Sequence, residues 1–126
     1  DCLRRRADDG VRIQLALGDP DCAAVALRTL EEHIDMRARI HNALRVIEPL
    51  NGHPNIEVRL HDTTLYTSLY MSDTEMLANH HMLGFPAAFA LVSHLRRRPG
   101  GFSFDRYGEV FKAAWDGARA YSGPEA

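Results

Sequence analysis

The sequence predicts an α/β domain in which a mixed β-sheet is flanked by helices, and three observations carry that expectation. Val11 to Leu17 and Asn55 to Leu60 each alternate apolar and polar side chains, the period of two that marks a half-buried strand. The segment between them carries apolar residues at helical spacing, so the two strands close a βαβ unit and pair in parallel. From Thr64 to Met82 the alternation returns in two stretches around a short polar break, the pattern of a β-hairpin.

Taken in order, Asp1 to Asp9 reads as the end of an amphipathic helix, with Gly10 as its C-terminal cap. In the strand that follows, Val11, Ile13, Leu15 and Leu17 alternate with Arg12, Gln14 and Ala16. Gly18-Asp19-Pro20 closes this strand and opens a helix, with Asp19 as N-cap and Pro20 at the first helical position. Helical spacing runs through Val25, Leu27 and Leu30 and, after a break near Glu32, through Met36, Ile40, Leu44 and Ile47. Pro49 ends it, and Leu50 to Pro54 form a loop. In the second strand Ile56, Val58 and Leu60 oppose Glu57 and Arg59.

In the hairpin, Leu65, Thr67, Leu69 and Met71 fall on one face, and Thr64, Tyr66, Ser68 and Tyr70 on the other. With Asp73-Thr74 as the loop, Tyr66 lies opposite His81, Ser68 opposite Asn79 and Tyr70 opposite Leu77, all on one face. Gly84-Phe85-Pro86 reads as a turn. Ala87 to Arg98 fits helix or strand, its second half favouring a strand with Leu91, Ser93 and Leu95 on one side. After the break at Pro99-Gly100-Gly101, Ser103 caps a last helix. Its stripe of Phe104, Tyr107, Phe111, Ala114, Trp115 and Ala118 belongs to the core.

Composition narrows the function classes. A chain of 126 residues with 45% apolar and 25% charged residues is ordinary for one globular domain. A net charge of −2 gives no general attraction to nucleic acid or anionic membrane. The Arg4–Arg6 and Arg96–Arg98 runs read as solvated surface, since neither interleaved aromatic residues nor a recognition helix accompanies them. Of the 15 basic residues only Lys112 is a lysine, which nearly removes lysine as a catalytic group. Two cysteines, Cys2 and Cys22, are too few for a disulfide framework and point to the reducing cytoplasm. The apolar run from Phe85 to Val92 is far shorter than the ~20 residues of a membrane span. The chain begins inside a helical pattern, so upstream elements are expected.

The strongest functional lead is the polar set Tyr66, Ser68, Asn79 and His81 on hairpin strands otherwise rich in leucine and methionine. His61 and Asp62 add to it, because they end the second parallel strand, the usual binding edge of an open α/β sheet. A metal is not expected: His80 and His81 point to opposite faces of one strand and cannot readily share an ion. Nothing in the sequence implies another cofactor.

The order of elements, with Phe111 and Trp115 on the final helix, resembles one half of a phospholipase D-like domain. In that superfamily the first hairpin strand carries His-x-Lys-x-x-x-x-Asp, and the returning strand often carries Gly-Ser-x-Asn. Here Tyr66-x-Ser68-x-x-x-x-Asp73 has the same spacing, and Ala78-Asn79-His80-His81 stands where the second motif would be. More narrowly, GVRIQLALGDP, VRLHDTTLYTSLY, the Met, Leu, Asn, His and Gly of MLANHHMLG, and HLRR are similar to a particular family. These are degenerate phospholipase D-like domains that follow a helix-turn-helix in bacterial (XRE-type) transcription regulators. The resemblance spans almost the whole chain.

That resemblance implies a sensor and not an enzyme. Phosphodiester transfer by the superfamily needs a histidine nucleophile and a charge-neutralising lysine, and Tyr66 and Ser68 replace them. It implies one sensor domain over residues 1–126, truncated on its N-terminal side, that responds to a small-molecule effector or a protein partner. DNA would be contacted only through a missing N-terminal domain, and a homodimer is compatible. Two alternatives stay open: a phosphodiesterase or nuclease with altered catalytic residues, and a dimerisation module exposing a continuous apolar patch.

Overall fold

The computed structural model describes residues 2–32, 35–81 and 87–123. Helix α1 (Cys2–Asp8) leads into β1 (Ile13–Gly18), then α2 (Ala23–Glu32), α3 (Met36–Ile47) and a 3-10 turn at Glu48–Leu50. Strands β2 (Ile56–His61), β3 (Thr67–Met71) and β4 (Glu75–His80) follow. A second 3-10 turn (Ala87–Phe89) precedes β5 (Val92–Arg96), α4 (Ser103–Asp116) and a short β6 (Arg119–Ala120).

The fold is α/β, and its described strands form two small sheets. The first is mixed, in the order β1-β2-β6: β1 and β2 are parallel from Ile13↔Ile56 to Gly18↔His61, and β6 runs antiparallel to β2. The second is antiparallel, in the order β3-β4-β5. The hairpin register is the predicted one, with Ser68↔Asn79 and Tyr70↔Leu77 in the ladder. Just beyond it, the His81 amide donates to the Tyr66 carbonyl at 2.7 Å.

One core lies under the mixed sheet. Ile56, Val58 and Leu60 of β2 are buried together with Val25, Ile40 and Leu44 from α2 and α3. The α2–α3 break follows from local chemistry: Asp35 caps α3 by accepting from the Ala38 amide at 3.0 Å. Gly10, with φ 94°, ends α1 in the left-handed conformation that a side chain would resist.

Helix α4 bridges the two sheets. At its C-terminal end Trp115 is buried, and Arg59 of β2 places its guanidinium 4.4 Å from the indole centroid. The same Arg59 donates to the Trp115 carbonyl at 2.8 Å. At the other end Phe104 is buried beneath Arg97, which follows β5, with guanidinium and ring 4.9 Å apart. Between them Tyr107 meets the His80 ring of β4 at 6.2 Å. The inner face of β4 is closed by Met76 and Ala78, both buried. On the outer face Tyr70, Leu77 and Val92 are exposed.

Two expectations are corrected. Helix α2 starts at Ala23 and not at Pro20, because Asp19 holds a separate turn: its carboxylate accepts from the Asp21 amide and its carbonyl from Cys22. Ser103 is the first residue of α4 rather than its cap; Phe102 occupies the cap position without a side-chain bond. Strand β6 was not foreseen, since two residues carry no periodicity. The turn read at Gly84-Phe85-Pro86 and the strand end at Met82 lie outside the described residues.

Candidate functional site: a cleft between two sheet edges

Strands β1 and β3 are the edges of their sheets, and both border one cleft of about 420 Å³. Edge strands present side chains of both faces, so Leu15 and Leu17 meet Ser68, Leu69 and Tyr70 across it. Helices α2 and α3 contribute Val25, Arg28, Met36 and Ile40, and α4 contributes Val110, Phe111 and Ala114. At the end of β1, a Cβ added to Gly18 would stand 3.0 Å from Val25 Cγ2 and 3.9 Å from His61 Cε1. The absent side chain lets β1 and α2 approach each other at this wall.

Of the residues singled out from the sequence, His61, Ser68 and His81 line the cleft, and Tyr66, Asn79 and Asp62 do not. Tyr66 keeps its predicted register, but its side chain is 76% exposed. Asn79 shares a face with Ser68 yet sits on the central strand β4, one strand removed from the edge that meets the cleft. Asp62 is exposed beyond the end of β2. The sequence reading missed Arg28. Its signal was its place three residues after Val25, which sets a cation on the inward side of an apolar helix.

Two polar groups at the cleft have defined chemistry. His81 Nδ1 lies 2.7 Å from the Leu65 carbonyl oxygen, which can only accept, so in the neutral ring Nδ1 carries the proton. The Ser68 hydroxyl then donates to Nε2 at 2.9 Å. A hydroxyl paired with an oriented imidazole is the arrangement that activates a nucleophile, and it is equally a hydrogen-bonding anchor for a ligand. Outside the cleft, Asp19 is occupied otherwise: the Asp21 amide, and then the Arg119 guanidinium at 3.0 Å, hold its carboxyl below the usual range. No group of three or more metal-ligating side chains gathers among the described residues.

His61 is the perturbed group. Burial pushes its imidazole below the ordinary value of 6.5, against the upward pull of the Thr63 backbone and Asp62 and with the downward push of Arg28. Its Nδ1 atom is buried with no well-formed hydrogen bond among the described residues. The unfolded chain therefore takes up this proton first as pH falls, and folded stability drops below about pH 6.5. His61→Gln is expected to flatten the fall in Tm between neutral and mildly acidic pH, relative to the parent chain. An unchanged slope would show that His61 is not the group responsible.

No family model, curated protein or solved structure shows significant similarity to the chain.

Proposed function

We propose that this chain is a non-catalytic ligand-sensing domain of a DNA-binding transcription regulator of the bacterial cytoplasm. The cleft between the two sheet edges is the observation that carries the reading. A molecule filling it touches β1, α2 and α3 on one side and β3 and α4 on the other. Its binding energy would then bias how the two sheets stand to each other, which is what a sensor must transmit. The volume suits a small organic molecule, and its walls are mostly apolar with a few polar groups, the usual make-up of such sites. DNA contact would belong to an N-terminal helix-turn-helix, as the resemblance implies. A homodimer could use the outer sheet face, where Tyr70, Leu77 and Val92 stand exposed.

Native mass spectrometry of the purified chain, followed by a thermal-shift screen of small metabolites, tests the role. A retained molecule, or a compound that raises Tm in a saturable way, is the expected result. A chain that retains nothing and responds to no compound would overturn it.

The Ser68–His81 hydrogen bond favours a second reading, a hydrolytic domain in which Ser68, at the place of the superfamily's lysine, acts as the nucleophile. Turnover of bis(p-nitrophenyl) phosphate is expected at background. Turnover that disappears in Ser68→Ala would put the enzyme first.

A further inference from the structure

We infer that the cleft takes an extended apolar peptide segment, which adds a strand to an open sheet edge, β1 or β3. The inference rests on the sensing role proposed above and names the class of its ligand.

The backbone parity of both strands supports this occupant. The Ile13 amide donates to the Asn55 carbonyl and the Asp19 amide to that of His61, so the odd residues of β1 face β2. Gln14, Ala16 and Gly18 therefore turn their N–H and C=O groups away from their sheet. On the β3 side, the Tyr66 carbonyl accepts from His81 and the Ser72 amide donates to Glu75. The even residues thus face β4, and Thr67, Leu69 and Met71 turn their backbone groups outward. Among the described residues neither edge has a further strand beside it. Of these outward residues, all but Met71 line the cleft. Two rows of backbone donors and acceptors therefore border one space. Each row repeats at every second residue, about 7 Å apart. An extended peptide matches that repeat, whereas a compact molecule meets one or two of the groups.

The walls select the side chains. Ile56, Val58 and Leu60 of β2 pack on α2 and α3, whereas Arg59, on the opposite face, lies over Trp115 of α4. Helix α4 also covers β3, since a Cβ added to Gly108 would stand 3.7 Å from Met71 Cε. A strand in the cleft would then have helices on both faces. One set of alternate side chains meets Val110 and Phe111, and the other meets Val25, Met36 and Ile40. Strands covered on both faces are apolar at successive positions, and such a segment leaves water at each of them. The open edge of β1 from Gln14 to Gly18 covers about 13 Å, which a segment of about five residues fills.

Calorimetric titration of the full chain with a blocked peptide of alternating valine and leucine, flanked by lysines for solubility, tests the assignment. Two control peptides keep the side chains but carry N-methyl groups on one or the other set of alternate amides, which removes the donors of one edge. The parent peptide should bind saturably, and at least one control should bind about tenfold or more weakly. The amide of Ala16 or of Leu69 should gain protection from hydrogen exchange when the parent peptide is bound. Ala16→Pro and Leu69→Pro each remove one outward N–H, and the variant that weakens binding identifies the edge used. Melting curves establish that both fold. Equal binding of all three peptides without new amide protection would overturn strand pairing and leave the sensing role standing. So would failure of the parent peptide alongside a saturable hit from the metabolite screen. Failure of the peptide and of the whole screen would remove the cleft as a ligand site altogether.

Discussion

Trp115→Ala is expected to destabilise the chain by about 3–5 kcal/mol, the range for truncating a large aromatic side chain in a core. Trp115 is only 6% exposed, so nearly all of its ring surface is withdrawn from water. Phe111 stacks against it at a centroid distance of 5.8 Å, and the Arg59 guanidinium of β2 lies 4.4 Å from the indole centroid. Stacking of the guanidinium contributes about 0.5–1 kcal/mol, so lost packing and the cavity left behind dominate the effect. Arg59→Met, which keeps an apolar stem over the indole, should therefore cost much less. Urea unfolding followed by far-ultraviolet circular dichroism reads both variants without depending on the indole. A loss below about 1 kcal/mol for Trp115→Ala would mean that the helix end does not anchor α4 to β2.

The hairpin register was legible because two signals agree: strict alternation on both strands, and a polar break too short for any other loop. Ser68↔Asn79 and Tyr70↔Leu77 follow from that alone. The parallel β1–β2 pair was legible for a similar reason, since a helical segment between two strands leaves little choice of direction. The burial of Trp115 could be read from the spacing of Phe111, Ala114 and Trp115 along one helical face. What pairing patterns cannot state is which strand edge stays open. Ser68 and Asn79 look equivalent in sequence, yet Ser68 is on the edge strand β3 and borders the cleft, while Asn79 is enclosed between β3 and β5. Nor does alternation say that the hairpin builds its own sheet instead of extending β1-β2. That division creates the cleft. Arg28 escaped notice because a charged residue on a helix is read by default as solvated.

Phe104→Ala should bring a comparable loss of about 3–5 kcal/mol, but it should act on the other sheet. Phe104 is 5% exposed at the first turn of α4, under Arg97 just past β5, whereas Trp115 lies almost a whole helix length away against β2. Each aromatic thus fastens one end of the same helix to one sheet. Amide hydrogen exchange separates their effects, because it reports local opening as well as global unfolding. In Phe104→Ala, amides of β4 and β5 should lose more protection than those of β1 and β2. In Trp115→Ala the order should reverse. Equal loss in both sheets for both variants would mean that the sheets open together as one cooperative unit. A ligand in the cleft could then not shift one sheet against the other, and the route by which a sensor would transmit binding would be lost. Opposite patterns would instead identify α4 as the element whose seating on the two sheets a bound ligand can bias.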